Sequence, residues 1–133
     1  MLSADGSVVF AALENRTIRI ANTLLILAPS HTKILATWDE ALRYCSNLDA
    51  DGSTDWYLPD KLELLCIYEA FGYDPESTML SYKTYKTFWS KSDFVLSSSV
   101  TGAKYVFDYG KGIFSYENVD TMQVVQAVRR VRT

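Results

Sequence analysis

The chain has little of what most catalytic and metal sites are built from. Its 133 residues include two cysteines and a single histidine, His31. Two cysteines are too few for a disulfide framework, and a structural zinc site needs four ligands that are mostly Cys or His. A Ser–His or Cys–His pair would have to use His31, which lies in a predicted loop beside Pro29. We therefore predict that the protein is not an enzyme.

Long apolar runs and blocks of one charge are also scarce. The longest apolar run, residues 23–28, is far shorter than the roughly 20 residues that span a bilayer. The first residues lack the cationic and apolar regions of a signal peptide. The net charge is −3, and the basic cluster at 129–132 is too short for a nucleic-acid footprint. We predict neither membrane insertion nor nucleic-acid binding. We also predict that the protein is made in the cytoplasm. The sequence does not determine its final location, which could include a virion.

What the chain does have fits one domain over residues 1–133, of 48% hydrophobic and 22% charged composition. Aromatic residues make up 14% and include nine tyrosines. Tyrosine supplies rigid contact area with a polar tip, so this composition favours a binding surface.

Strand-favouring segments flank two predicted helices. The predicted strands are 7–13, 17–21 and 23–28, then 87–96, 104–109, 112–116 and 124–132. The helices are predicted from Thr37 to about 48 and from Asp60 to Gly72, each with a capping box. Residues 73–86 are predicted to be a long loop. This order predicts an α+β fold with antiparallel sheets, two helices and long loops.

Four motifs follow one another in this framework. They are Trp38-x-x-Ala41-x-x-x-Cys45, Asp55-Trp56-x-Leu58-Pro59 with Glu63-Leu64, Phe88-Trp89-Ser90, and Val128-Arg-Arg-Val-Arg132. Over residues 37–132 the chain resembles the family of the C-terminal domain of the Lcl collagen-like adhesin. The resemblance implies a C-type-lectin-like fold, related to the formylglycine-generating enzymes.

The chain departs from the usual pattern of that family at two motif positions. Arg130 stands where the family has a cysteine, which removes the usual partner of Cys45, and Tyr57 stands where it has an arginine. The related formylglycine-generating enzymes depend on reactive cysteines near their C-terminus. No cysteine follows Cys66 here, so the resemblance does not imply that chemistry.

Calcium is the one cofactor that the residues suggest. Asp49, Asp51, Ser53 and Asp55 offer oxygen ligands at alternate positions around Gly52. Calcium takes 6–8 oxygen ligands, and this segment supplies at most four side chains. In the alternative interpretation the loop acids form Asx turns, and Asp55 orients the approach to the second helix.

The predicted ligand-binding residues are tyrosines and a lysine in loops. They are Tyr73, Tyr82, Tyr85 and Lys86 in the long loop, with Tyr109 and Tyr116 near the Tyr109-Gly-Lys-Gly112 hairpin turn. The alternative is that these side chains pack against strands and loops. Trp38, Trp56 and Trp89 are interpreted as core residues rather than as stacking residues, and Cys45 as a small core residue.

Two functions are compatible with these features. The first is a non-catalytic recognition module that binds a glycan or protein ligand on a surface through loops. The second is a phage virion or assembly protein that uses the same fold for contacts with other subunits, including a homo-oligomer. A fold resemblance alone does not choose between them.

Overall fold

The computed structural model describes residues 12–14, 16–72, 82, 85–93 and 102–132. The first residues of the predicted strand 7–13, most of the predicted loop 73–86 including Tyr73, and the last residues of the predicted strand 87–96 lie outside these ranges. The helices are α1 (Trp38–Asn47) and α2 (Lys61–Ile67). The strands are β1 (Ala12–Glu14), β2 (Thr17–Ile20), β3 (Thr23–Leu27), β4 (Ile34–Ala36), β5 (Thr87–Asp93), β6 (Ala103–Asp108), β7 (Ile113–Asn118), β8 (Gln123–Val125) and β9 (Val128–Arg132).

The strands form two sheets. The first has the order β1-β2-β3-β9 and the second the order β4-β8-β5-β6-β7. All pairs are antiparallel except β5 and β8, which run parallel where Phe88 lies opposite Val124. The predicted α+β class is confirmed, and the C-type-lectin-like arrangement stays a prediction.

One predicted strand is wrong. Residues 124–132 form two strands, β8 and β9, which belong to different sheets. The chain crosses between the sheets at Gln126 and Ala127. The buried Gln126 amide donates hydrogen bonds to the carbonyl oxygens of Ala28 and Ala127, at 3.3 and 2.8 Å. A buried side-chain amide thus satisfies backbone acceptors where the strand is interrupted.

Both helices begin where the capping boxes predict. The Thr37 N–H donates to Glu40 Oε1 at 3.0 Å, and Asp60 and Glu63 exchange the two reciprocal bonds at 2.8 and 2.9 Å. The second helix is regular only to Ile67 and continues as a π-type turn, Tyr68–Gly72. Its predicted extent is therefore confirmed, while the geometry of its last turn was not predicted.

The second sheet is buried on both faces at its centre. Phe88 and Val124 face a core with Leu64 and Ile67 of α2, whereas their neighbours Trp89 and Val125 face a core with α1. Trp56, Trp89 and Cys45 are buried, which confirms the core interpretation for all three, and Trp38 is half-buried. A sheet held from both sides is a rigid base for the loops at its ends.

Candidate functional site

Four strand ends meet at one end of the second sheet. Ala36 of β4 lies opposite Gln123 of β8, and Thr87 of β5 lies opposite Asp108 of β6. The Thr87 hydroxyl and the Gln123 side chain are hydrogen-bonded and join the two pairs. Lys86 and Met122 therefore immediately precede two neighbouring parallel strands at the same level. We call Tyr82, Tyr85, Lys86, Tyr109 and Met122 the strand-end surface.

Four of the predicted ligand-binding residues come together there. The Tyr82 and Tyr85 rings are 6.5 Å apart, and the Tyr109 N–H donates to the Lys86 carbonyl oxygen at 3.0 Å. Tyr85 is 45% exposed, whereas the Tyr109 ring packs edge-on against Phe88. Burial raises the pKa of Tyr109. The surface thus combines an accessible aromatic face with a buried support.

The hairpin turn orients Lys86. The Asp108 carboxylate accepts hydrogen bonds from the N–H groups of Gly110 and Lys111, at 2.9 and 3.2 Å. A Cβ at position 110 would lie 2.8 Å from Lys86 Cδ. The glycine therefore lets the aliphatic part of Lys86 lie directly on the turn, which directs its ammonium group to the surface.

Tyr116 is separate from this group. It lies opposite Tyr105 near the middle of β7, three residues along the strand from Ile113. At about 3.3 Å per residue, that is about 10 Å from the hairpin end. The Tyr105 ring beside it carries the Lys61 ammonium at 3.9 Å from its centroid. Of the six predicted residues, four meet, Tyr116 lies apart, and Tyr73 is outside the described residues.

A groove of about 640 Å³ opens beside the strand-end surface, between α1 and β4. Its lining is Ile34, Leu35, Ala36, Glu40, Arg43, Tyr44, Asn47, Leu48, Asp49 and Met122. Met122 belongs to both features, so the groove and the strand-end surface are continuous. The polar side chains of α1 recur at i, i+3 and i+7 (Glu40, Arg43 and Asn47) opposite an apolar floor.

Sequence reasoning missed this groove. The apolar stripe of α1 predicts the buried face of the helix, but the polar residues at the same spacing were not recognised as the side that lines the groove. No local pattern identified β4 as its other wall, because a three-residue strand gives almost no periodic signal. The Tyr44 hydroxyl, which donates to the Thr32 carbonyl oxygen at 2.6 Å, ties α1 to the turn before β4.

Two carboxylates of the predicted calcium loop, those of Asp51 and Asp55, form ion pairs. Asp51 accepts from Arg16 at 3.0 Å, and Asp55 accepts from Arg129 at 2.6 and 3.2 Å. The bond from Arg129 lowers the pKa of Asp55. The Trp56 indole donates to the Ser53 carbonyl oxygen at 3.0 Å, and Asp49 lines the groove. Among the described residues, no three His, Cys, Asp or Glu side chains cluster for a metal ion. Calcium binding stays a prediction.

A buried charged network lies at the start of α2, where the Lys61 N–H donates to Ser92 near the end of β5. Glu63 is 2% exposed and accepts from the Tyr57 hydroxyl at 2.5 Å and from Arg130 Nε at 2.9 Å. Burial and the bond to Glu63 raise the pKa of Tyr57. Burial opposes the charge of Arg130, but the bond to Glu63 raises its pKa overall. The two departures from the family pattern, Tyr57 and Arg130, therefore converge on one carboxylate.

The two cysteine thiols are buried and have raised pKa values. Cys45 and Cys66 are free and buried, and burial raises the pKa of Cys45 to about 12 and also raises that of Cys66. A thiol that stays protonated at neutral pH is a poor nucleophile. His31 is exposed in the turn Ser30–Thr32.

Comparison with known proteins identifies the family. In the described part of the chain, no helix has the length and apolar character needed to cross a membrane. A search of curated proteins finds no match to this chain. The Lcl C-terminal domain family matches residues 16–131, which cover α1, α2 and β2 to β8 completely. Such a match suggests an adhesin-like or binding module and names no ligand. The chain belongs to the Lcl C-terminal domain family.

Proposed function

We propose that the protein is a non-catalytic recognition module that binds carbohydrate on a surface. The ligand would lie along the strand-end surface and extend into the α1–β4 groove. The observation that carries this proposal is the Thr87–Gln123 hydrogen bond, which makes the tyrosine cluster and the groove neighbours. A concave, largely apolar site with a few polar groups is the usual form of a ligand site.

The chemistry of the surface suits a sugar. The exposed ring of Tyr85 offers an apolar face to the C–H groups of a pyranose. Lys86 and Arg43 can donate hydrogen bonds to hydroxyl or carboxylate groups, and Asn47 and Asp49 can accept them. The mixture of both charge signs favours a polar, neutral or weakly charged glycan over a highly charged polymer.

The scaffold supports rapid and selective binding because the contact residues are held before the ligand arrives. Asp108 fixes the hairpin turn, and the Phe88–Tyr109 ring contact supports one side of the surface. Fewer side chains must be ordered on binding, which lowers its entropic cost. We infer a C-type-lectin-like arrangement for this scaffold. Its support is the family match, together with two sheets and two helices.

The absence of catalysis is part of the proposal. Its support is chemical: the thiols are buried with raised pKa values, and His31 is exposed in a turn away from either cysteine in sequence. A nucleophile requires a base within hydrogen-bond reach.

A glycan array probed with the full chain, followed by calorimetry with the best glycan, tests the proposal. We expect Tyr85→Ala and Lys86→Ala each to weaken binding about tenfold, equivalent to about 1.4 kcal/mol. Arg43→Ala should weaken glycan binding as well, because the ligand is proposed to extend into the groove that Arg43 lines. Tyr116→Ala is the matched control, because Tyr116 is 49% exposed, like Tyr85, but lies outside the surface.

Two outcomes would contradict the proposal. Equal losses in Tyr85→Ala and Tyr116→Ala would exclude the strand-end surface as the specific site. No glycan signal, together with a stable complex with another protein, would favour the virion or assembly role.

A further inference from the structure

Among the described strands, β7 forms one edge of the second sheet. In the strand order β4-β8-β5-β6-β7, no strand of the described residues pairs with the outer side of β7. The strand is six residues long, Ile-Phe-Ser-Tyr-Glu-Asn, and Glu117 is its only charged residue. It has no proline, glycine or lysine, which are the usual means of protecting an edge. Ile, Phe and Tyr also favour strand pairing.

The outer edge of β9 in the first sheet is protected, unlike the edge of β7. Three of its five residues are arginines, and two of them form ion pairs with Asp55 and Glu63. Tyr57 covers the start of the edge, exchanging backbone hydrogen bonds of 2.8 and 2.9 Å with Val128. The molecule thus protects one edge by charge and cover, while the β7 edge presents Ile113 and Tyr116, 51% and 49% exposed.

We propose that β7 pairs with β7 of a second copy of this chain and joins two five-stranded sheets into one. A twofold axis perpendicular to the sheet keeps every residue on the same face in both copies. Opposite residues of an antiparallel pair share a face, so the axis must pass midway between one residue and the same residue of the second copy. This interface lies outside the proposed ligand surface and does not depend on it.

The strand is self-complementary when the axis passes midway between Ser115 and Ser115 of the second copy. Phe114 then lies opposite Tyr116 of the second copy, and Tyr116 opposite Phe114, which creates two aromatic pairs. Ile113 lies opposite Glu117, so the acidic side chains do not face each other. Phe114 and Tyr116 lie on the face where Lys61 stands 5.1 Å from the Phe114 ring centroid. This cation would lie beside the new aromatic pairs.

The size of the contact determines the strength of the dimer. A pair of six-residue strands covers less area than the roughly 1,200–2,000 Å² of a standard stable interface. We therefore expect a reversible dimer whose fraction rises with protein concentration.

Disulfide trapping of the full chain tests both the interface and its register. Cys substituted for Ser115 would face its symmetry mate at about 4.5–5.5 Å between Cα atoms, within disulfide range. We expect Ser115→Cys to form a covalent dimer under mild oxidation. In Tyr116→Cys the two thiols would be on residues about 8 Å apart, beyond that range. The native thiols of Cys45 and Cys66 are buried and provide a low background.

Light scattering over a range of concentrations tests the uncrosslinked dimer. Ser115→Lys places two ammonium groups opposite each other at the axis and should abolish dimerisation. Met122→Lys adds the same charge at a 51% exposed position away from β7 and should leave it unchanged. Because Ser115 is exposed, its substitution should not disturb folding, which circular dichroism would verify.

Three results would overturn the proposal. One is a wild-type mass that stays monomeric at all concentrations. Another is equally rapid cross-linking of Ser115→Cys and Tyr116→Cys, which random collision or a different register would give. The third is a dimer that persists in Ser115→Lys, because it would require another interface.

Discussion

Arg129 and Arg130 are neighbours on β9, yet they form ion pairs in opposite environments. Arg129 reaches the exposed carboxylate of Asp55, whereas Arg130 reaches Glu63, which is almost completely buried. The alternation of side chains along a strand separates the two pairs. The same chemistry is thus used once at the surface and once inside the molecule.

The difference shows which of the two ion pairs matters more to the fold. An exposed pair exchanges hydration for a modest attraction, so either partner can be lost at low cost. A buried carboxylate has no water to replace its partner, and removing the arginine leaves an uncompensated charge. Arg130 in place of the usual cysteine is therefore matched by Glu63 and by Tyr57 in place of the usual arginine.

The largest expected effect comes from identical substitutions at the two arginines. Arg130→Met should lower the free energy of unfolding by about 3 kcal/mol or more, because Glu63 stays buried without its cation. Arg129→Met should cost far less, because Asp55 is exposed to water. Urea unfolding of both variants measures the contrast, and equal losses would contradict it.

The double variant Arg130→Met, Glu63→Gln is the control for this contrast. It removes both charges while keeping a side chain that can cap α2. We expect it to be more stable than Arg130→Met alone, and the double-mutant cycle gives the coupling of the pair.

Lys33, a second buried charged residue, should affect the free energy of unfolding in a pH-dependent way. We expect this effect to be similar to or smaller than that of Arg130→Met. Lys33 is buried, and burial lowers its pKa from 10.5 to about 8. Between these two pH values Lys33 binds its proton more tightly in the unfolded chain than in the folded one. The contribution of Lys33 to the free energy of unfolding therefore rises as the pH increases from about 8 to 10.5. In Lys33→Met this rise is absent.

Urea unfolding of the wild type and Lys33→Met at several pH values measures this contribution. The difference between the two chains should change by on the order of 3 kcal/mol over that window. The raised pKa of Cys45 acts in the opposite direction above pH 9, but it is common to both chains and cancels in the difference. Parallel curves would contradict the prediction.

The smallest expected effect is at the exposed pair. Asp55→Asn should slightly lower stability near pH 7, and high salt should reduce the difference from the wild type. The pKa of Asp55 is lowered from 3.8, so its contribution is present above that pH and is lost as the pH falls through the folded value. A difference that persists in acid or in 1 M salt would show that the side chain acts by packing instead.

Local features of the fold could be predicted from the sequence. The capping boxes at Thr37 and Asp60 and the burial of Cys45 depend on residues within a few positions of one another. Three tyrosines and one lysine of the strand-end surface could be recognised by their residue type, and three of these four residues, Tyr82, Tyr85 and Lys86, are close together along the chain.

Features formed by residues that are distant in the chain could not be predicted from the sequence. The division of 124–132 into β8 and β9 has no glycine or proline to mark it, because the break depends on Gln126 contacting Ala28. The α1–β4 groove needs Met122, which lies about 80 residues beyond α1. The meeting of Tyr57 and Arg130 at Glu63 likewise depends on a separation that no local pattern reports.

The crossing at Gln126 and Ala127 has a consequence for the order of folding during synthesis. Residues 123–132 follow all the other described strands, and they supply β8 inside the second sheet and β9 beside β3. While the chain emerges from the ribosome, β4 and β5 have no β8 between them, and β3 lacks one neighbour. Neither sheet can be completed until residues 123–132 are free, so we expect both cores to close in a single step that follows the synthesis of this segment.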